Sequence, residues 1–245
     1  FHFYKYYSGP YKTWALAQKK SVGYNDKNII SKVRKAALIT KNSKTKFEID
    51  SIIFNKPHRN IKFQKIMINL AKKKNLIKII DFGGSLGSTY YRYRGIFSSK
   101  KKIKWSVVEQ KAFVKIGKKE FKDKSLKFYY NLDELIKNKK NEQIDIFLLS
   151  SSLQYIKDYK KIIYKINKLN ADYLIILKTP MKISTKNSIY VEKVPEQIYG
   201  SSYSSWVFSK KKLIKSLTNY KLIHDEIVKP HIFSIYFHDL FFKIK

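Results

Sequence analysis

The sequence predicts an α/β protein with a doubly wound, mostly parallel sheet of seven strands, an antiparallel last strand and an N-terminal helical cap. Short apolar runs typical of strands alternate with runs typical of helices from about residue 76 onwards. One of these strands ends in an acid followed by three glycines within five positions. Two closing apolar runs are separated by only three residues, which is too short for a parallel crossover.

The helical cap is predicted over residues 1–75. Thr13 is expected to cap a short helix, and Asp26 a second one, because their side-chain oxygens accept hydrogen bonds from the first turn. Apolar residues at core spacing predict a third helix over 61–74.

A second domain over residues 76–245 is predicted to hold the sheet, interrupted by an irregular insertion at 180–209 that is rich in Ser and Tyr. The predicted strands cover 77–81, 103–109, 126–130, 144–150, 173–178, 220–228 and 232–244. The predicted helices cover 88–97, 110–121, 133–139, 158–169 and 210–217.

The turn after the first predicted strand is the most informative segment. Its spacing is Asp-x-Gly-Gly-x-x-Gly over residues 81–87, which differs from the dinucleotide fingerprint by its two adjacent glycines. A Cβ at these glycines would hold the backbone away from a bound ligand. The turn is therefore interpreted as a nucleotide-type loop, although such a turn also occurs as a merely structural corner.

Glu109 ends the next predicted strand, 28 positions after Asp81. An acid there can accept hydrogen bonds from both hydroxyls of a ribose. The chain has only 18 acids in 245 residues. Coincidence therefore explains an acid at this distance less easily than it would in a protein with the usual share of acids.

Composition excludes several kinds of chemistry. The chain has no cysteine, which excludes disulfides, thiolate metal sites, iron–sulfur chemistry and a cysteine nucleophile. No His, Asp and Glu cluster has the spacing of metal ligands, so no metal is expected. No uncharged apolar run approaches the roughly 18 residues that a membrane span needs.

The net charge is +34, from 52 basic and 18 acidic residues. A basic face would release counterions from a nucleic-acid backbone. However, only four basic residues are arginine, whose planar group suits phosphate and base recognition, and the lysines are spread along the chain. This favours solubility over a dedicated nucleic-acid surface, and attraction to an anionic membrane surface stays open.

The loop and Glu109 resemble the class I S-adenosylmethionine-dependent methyltransferases, a superfamily with a Rossmann-like fold. A narrower combination of motifs resembles a family of predicted methyltransferases associated with bacterial surface-polysaccharide (O-antigen-type) gene clusters, over nearly the whole chain. These motifs are Tyr7-Ser-Gly-Pro-Tyr-Lys-Thr-Trp14, Gly23-Tyr-Asn-Asp26, Asp81-Phe-Gly-Gly-Ser-Leu-Gly-Ser88, Val107-Val-Glu-Gln110, Leu149-Ser-Ser-Ser-Leu-Gln-Tyr155 and Thr179-Pro180.

The resemblance implies S-adenosyl-L-methionine as the cofactor and a sugar or glycan precursor as the acceptor. It implies that the loop holds the amino-acid part of the cofactor, through Asp81, Gly83, Gly84, Ser85 and Gly87. It assigns the ribose to Glu109 and the adenine to Gln110. Asn131 and Leu132 would flank the adenine or form a plain loop. Just before Thr179-Pro180, where the family has an acid-base pair, this chain has Leu177-Lys178, so no role is assigned to a carboxylate there.

Ser150, Ser151, Gln154 and Tyr155 follow the fourth predicted strand, at the edge where ligands of open α/β sheets bind. Of these, Ser150 and Ser151 are predicted to contact the cofactor, and Tyr155 and Gln154 to be catalytic. A wall of aromatic rings is predicted to hold a sugar, with simple packing as the alternative: Tyr11, Trp14, Tyr199, Tyr203 and Trp206. Other candidate bases are His224, His231 and His238.

The leading interpretation is a cytoplasmic, S-adenosylmethionine-dependent enzyme that methylates a surface-glycan component. One alternative is an RNA methyltransferase that uses the lysine excess, although the Asn-Pro-Pro-Tyr signature of nucleic-acid amine methylation is absent. Another is a binding module that retains the fold without turnover.

Overall fold

A computed structural model of the chain describes residues 6–23, 27–97, 102–139, 142–198, 200–230 and 234–245. Two compact units divide the chain. The first unit comprises Phe1–Ile29 and Leu149–Lys245, and the second comprises Ile30–Leu148. The predicted boundary between a cap and a sheet domain at residue 75 stays a prediction.

The strands are β1 (Tyr6–Tyr11), β2 (Phe47–Ile49), β3 (Ile52–Phe54), β4 (Leu76–Phe82), β5 (Lys102–Val108), β6 (Leu126–Tyr129), β7 (Ile146–Ser150), β8 (Tyr173–Lys182), β9 (Ser188–Val194), β10 (Ser201–Ser209), β11 (Tyr220–Pro230) and β12 (Tyr236–Ile244). The α-helices are α1 (Trp14–Lys19), α2 (Lys27–Lys41), α3 (Ile61–Lys73), α4 (Ser88–Tyr93), α5 (Lys111–Ile116), α6 (Leu132–Asn138), α7 (Tyr159–Leu169) and α8 (Lys210–Ser216).

The second unit contains the parallel strands β4, β5 and β6 in that order, with the first three residues of β7 on the other side of β4. Their β-branched and aromatic side chains, such as Ile79, Trp105 and Val107, are fully buried, which is why these runs show no polar alternation in the sequence. A 3₁₀ turn (Arg94–Ile96) follows α4, and a π turn (Gly117–Phe121) follows α5. The helices predicted over 88–97 and 110–121 are therefore present but end irregularly.

The first unit contains the end of the sheet. β12 pairs antiparallel with both β8 and β11. The mostly parallel Rossmann-like sheet with an antiparallel last strand is thus confirmed. The predicted number of seven strands is too low, because β1, β9 and β10 also pair within the first unit. Leu240, Phe241 and Phe242 of β12 are fully buried, which explains why this run reads as apolar on both faces.

The prediction that residues 180–209 are irregular is wrong. β9 and β10 form an antiparallel pair there, and β1 adds to the other side of β9. β10 also extends along the end of β8, where Phe208 lies opposite Met181. In the sequence, serines in both strands obscure the alternation of apolar and polar residues that is typical of a strand. In β9, Ile189 and Val191 are buried on one face.

The N-terminal segment is less purely helical than predicted. It contains β1 and the β2–β3 hairpin besides α1, α2 and α3. Thr13 caps α1 as predicted, by accepting a hydrogen bond from the Leu16 amide at 3.3 Å. Asp26, the other predicted cap, lies outside the described residues.

Candidate functional site

The glycine loop (residues 83–87) connects β4 to α4 in the second unit. The Gly83 amide donates to the Val108 carbonyl of β5 at 2.9 Å, and the Gly87 amide donates back to the Gly84 carbonyl at 3.0 Å. Gly83 and Gly87 have φ of 78° and 92°, and Ser85 between them has φ of 53°. The loop is therefore a tight turn in a left-handed conformation that favours glycine.

Two of these positions also require glycine because other side chains of the protein lie too close to leave room for a Cβ. A Cβ on Gly84 would lie 2.6 Å from the carboxyl carbon of Asp81, and one on Gly87 would lie 2.8 Å from a methyl of Leu126. From the sequence, the missing Cβ atoms are predicted to make room for a ligand. For Gly84 and Gly87, the structure gives a packing reason that holds without a ligand.

Asp81 is buried beneath the loop, with 1% of its surface exposed. The Trp105 indole N–H donates to its Oδ2 at 3.0 Å, whereas its Oδ1 has no partner among the described residues. Burial raises the pKa of Asp81 to about 7, against the lowering effect of the indole hydrogen bond and the Arg92 charge. A buried carboxyl group therefore lies beneath the loop, and one of its oxygens, Oδ1, accepts no hydrogen bond from the described residues.

Glu109 comes directly after β5, and its carboxylate lies at the glycine loop. Its Oε2 accepts from the Ser85 amide at 3.4 Å, and its Oε1 accepts from the Gln110 amide at 2.8 Å. Burial raises the pKa of Glu109, while these two amide hydrogen bonds lower it. The structure therefore brings together the glycines and the acid that lie 22 to 26 positions apart in the sequence.

The three predicted adenine neighbours have different surroundings. Gln110 is exposed at the beginning of α5. Leu132 is 2% exposed and belongs to the core of the second unit. Asn131 caps α6 by accepting from the Glu134 amide at 2.8 Å, so its side chain has a structural role of its own.

In the first unit, the residues after β7 form a second polar site. Ser150 and Ser151 are half-buried, and the Ser151 amide donates to the Leu177 carbonyl at 2.9 Å with φ of 52°. Gln154 is completely buried, and neither polar atom of its amide has a partner among the described residues. Such a group costs free energy unless something binds it.

Tyr155 contacts the carboxylate of Glu192, a residue that was not among the predicted site residues. Its hydroxyl lies 2.9 and 3.0 Å from the two carboxylate oxygens of Glu192, which is completely buried. The Tyr7 hydroxyl donates to the same carboxylate at 2.8 Å. The Tyr203 ring lies 5.5 Å from the Tyr155 ring, and Tyr203 pairs with Glu192 across β9 and β10.

We call Tyr7, Tyr155, Glu192 and Tyr203 the Glu192 cluster. Tyr7, Glu192 and Tyr203 lie in one row across β1, β9 and β10, because Tyr7 and Tyr203 are both in register with Glu192. The sequence does contain a signal for Glu192, which is an acid in an acid-poor chain and lies within a run of alternating apolar and polar residues. It was missed because 180–209 was interpreted as irregular.

The predicted aromatic wall does not form as one surface. The Trp206 ring lies 5.5 Å from the Trp14 ring and is tilted by 33° to it, and its indole N–H donates to the Ile156 carbonyl at 3.1 Å. With Tyr11, these tryptophans pack against Ala17, Ile189 and Val191. Tyr203 lies on the opposite face of β10, because side chains alternate along a strand. Tyr199 lies outside the described residues.

Two of the three candidate histidines, His238 and His224, lie beside acids. His238 Nδ1 lies 2.6 Å from Asp225, which also binds Lys210 at 2.7 Å. Asp225 has a lowered pKa, because these two hydrogen bonds outweigh its desolvation. His224 lies 3.6 Å from Glu226, and His231 is outside the described residues.

The part of the chain that the structure describes contains no group of three His, Asp or Glu suited to a metal ion. Within that same part, none of the helices combines the length and the apolar character needed to cross a bilayer.

Comparison with solved structures establishes the class of fold: this is the Rossmann-like methyltransferase fold. The N-terminal domain of EvdMO1, crystallised in the presence of SAH and D-fucose, matches with a TM-score of 0.53 and 9% identity, over 90% of this chain and 100% of that one.

Two further structures have a similar score. A protein from Listeria monocytogenes, proposed to be an S-adenosylmethionine-dependent methyltransferase, gives 0.51 at 9% identity, over 76% of this chain and 100% of its own. The cyclase SpnF gives 0.52 at 10% identity, over 75% and 80%. No protein-family model and no curated protein matches the sequence. The function has to be argued from the site, because one fold serves several chemistries.

Proposed function

We propose that this protein transfers a methyl group from S-adenosyl-L-methionine to a hydroxyl of a sugar or glycan precursor. The single observation that carries the proposal is the carboxylate of Glu109 at the glycine loop, 3.4 Å from the Ser85 amide. A ribose binds where an acid ends the strand beside such a loop, because the acid accepts hydrogen bonds from both of its hydroxyls.

The residues of the second unit fit the charges of the cofactor. Glu109 would hold the ribose hydroxyls and the loop amides would face the methionine carboxylate. The buried Asp81 has an unused oxygen that would accept a hydrogen bond from the ammonium group, which repays the cost of burying that oxygen. The bound cofactor supplies an electrophilic methyl on a sulfonium, and the chain itself binds, orients and excludes water.

The Glu192 cluster in the first unit is suited to an acceptor hydroxyl. In a methyl transfer to oxygen, the new O–CH₃ bond forms as the S–CH₃ bond breaks, and the hydroxyl proton has to leave. Glu192 is the proposed proton acceptor, and Tyr155 and Gln154 the groups that orient the hydroxyl. Glu192 would thereby supply a carboxylate in place of the one in the family's acid-base pair, where this chain has Leu177-Lys178.

Two further considerations support a sugar acceptor. EvdMO1, which has the same fold, was crystallised with the sugar D-fucose. Phenol hydroxyls and rings such as those of the Glu192 cluster bind sugar hydroxyls and the apolar face of a sugar ring.

We place the reaction in the cytoplasm, where the cofactor is made, and in surface-polysaccharide biosynthesis.

Titration calorimetry with S-adenosylmethionine tests the cofactor assignment. Glu109→Ala is expected to weaken binding by about 1–3 kcal/mol, roughly 5- to 150-fold in Kd, because the ribose loses its acceptor. The matched control is Glu226→Ala, an acid of β11 with 54% of its side chain exposed, which should bind as the unaltered chain does.

Two outcomes would contradict the assignment. Equal affinities of the Glu109→Ala and Glu226→Ala proteins would remove the ribose role of Glu109. No binding heat and no thermal shift with the unaltered chain would favour the alternative of a binding module that retains the fold without the cofactor.

A further inference from the structure

A groove of about 970 Å³ opens on the first unit, beside α7, α8 and the loop between β8 and β9. Five lysines and one aspartate are the charged residues that line it: Lys157, Asp158, Lys160, Lys161, Lys186 and Lys212. Asp158 lies 3.6 Å from Lys161. The other four ammonium groups have no acidic partner within the described ranges, so the groove carries a concentrated positive charge.

The groove also contains planar rings and an unused acceptor. Tyr164 is 59% exposed, and the ring of Trp206 lies 5.4 Å from that of Tyr159. The Asn167 Nδ2 donates to the Ser216 carbonyl at 2.9 Å, whereas its buried Oδ1 has no partner in the described part of the chain. A ligand that combines anionic groups, a flat ring and a hydrogen-bond donor would satisfy all three features.

We infer that this groove binds a nucleoside diphosphate, either free or as the leaving end of a nucleotide-linked sugar. The lysines neutralise the two phosphates as point charges, and the base stacks on Tyr164. An Asn167 oxygen that accepts from the base or the ribose would relieve its buried, unpaired state.

The shape of the groove favours such a ligand over a nucleic-acid chain. Its volume lies within the range of small-molecule sites, roughly 300–1,000 Å³. Its lining comes from neighbouring segments between residues 157 and 216 rather than from a long track across the surface. An RNA strand needs successive phosphate contacts and several stacking platforms along such a track.

The inference deepens the proposed function and rests on it where the sugar is concerned. Tyr155 belongs to the Glu192 cluster, and Lys157 and Tyr159, two and four residues further on, line the groove. One short segment thus contributes both to the cluster proposed to take an acceptor hydroxyl and to the groove. The acceptor would then be a nucleotide-linked sugar, which must come from a nucleotidyl-transfer reaction.

Calorimetry on the full chain with uridine diphosphate as the probe tests the groove. Lys160→Ala/Lys212→Ala is expected to weaken binding by about tenfold or more, and raised salt should weaken it too. Lys193→Ala/Lys243→Ala removes two exposed lysines outside the groove, and should change the affinity less than about twofold. Tyr164→Ala should weaken uridine diphosphate but leave pyrophosphate unchanged.

Three results would overturn the inference. The first is an absence of uridine diphosphate binding, and the second is an equal loss of affinity in both double variants. The third is tight binding of a single-stranded RNA that the groove variants abolish and uridine diphosphate does not displace. Titration of the same samples with S-adenosylmethionine keeps the two proposals separate, because cofactor binding without nucleotide binding rejects the groove alone, and the reverse rejects the proposed function alone.

Discussion

The glycine loop of the second unit and the Glu192 cluster of the first unit are built in opposite ways. The loop and its supporting acid come from residues 81–87 of one segment, joined by Glu109 of the neighbouring parallel strand. The Glu192 cluster draws its side chains from four segments, and Tyr7 and Glu192 lie 185 positions apart. Short-range chemistry fixes the first arrangement, whereas only the register of distant strands fixes the second.

The largest effect is expected from the cluster. Glu192→Gln keeps the volume of the side chain but removes the proposed proton acceptor, so the methyl-transfer rate should fall about 10²- to 10⁴-fold. S-adenosylmethionine affinity should stay unchanged, because Glu192 is not among the proposed cofactor ligands, which are Glu109, Asp81 and the glycine loop of the second unit together with Ser150 and Ser151. Rates are measured beside Glu196→Gln, which alters an exposed acid. An unchanged rate in the Glu192→Gln protein would remove the carboxylate from the mechanism.

Asp81 should make the stability of the second unit depend on pH. Its pKa is raised to about 7 in the folded chain from an ordinary value of 3.8, so the folded state binds the proton more tightly. The contribution of Asp81 is therefore fully present below pH 4 and is lost as the pH rises to about 7, by on the order of 4 kcal/mol.

Asp81→Asn mimics the protonated group and should abolish this loss. The free energy of unfolding, measured in urea from pH 4 to 8, should fall less steeply with pH in the variant than in the unaltered chain. Parallel curves would show that Asp81 ionises normally in the folded state.

Alanine substitutions at two glycines compare the cost in unfolding free energy of a Cβ in the strained loop with its cost at an unstrained position. Gly87→Ala combines a φ of 92° with a Cβ at 2.8 Å from Leu126, and should cost about 2–4 kcal/mol of unfolding free energy. Gly95→Ala is the matched control, since the nearest atom to its Cβ is 3.9 Å away, and should cost less than about 1 kcal/mol. Equal thermal midpoints for the two variants would contradict the strain that the loop geometry implies.

The smallest effects are expected at two helix caps, one in each unit. Thr13→Ala and Asn131→Ala each remove a side-chain acceptor from a first turn, and each should cost about 1 kcal/mol. Asn131→Ala should leave the Kd for S-adenosylmethionine unchanged in calorimetry. A clear loss of affinity at constant stability would instead assign Asn131 to the adenine.

The same contrast explains which parts of the prediction succeeded. The seven strands, the antiparallel β12 and the meeting of Glu109 with the loop follow from patterns within short stretches. The prediction for 180–209 failed because Ser and Tyr there resemble loop composition, although β9 and β10 pair over seven consecutive residues. The same error hid Glu192, and it made Tyr203 and Trp206 seem to share a surface.

By itself, the sequence determined the parallel sheet, the tight loop and the acid beside it. Burial of apolar runs and the glycine requirement of left-handed turns act over a few residues, so a linear pattern records them. Only the tertiary structure decided that two tyrosine hydroxyls converge on Glu192, that Leu132 is core, and that lysines from three segments line one groove. Those arrangements depend on strand register and helix placement, which no local pattern encodes.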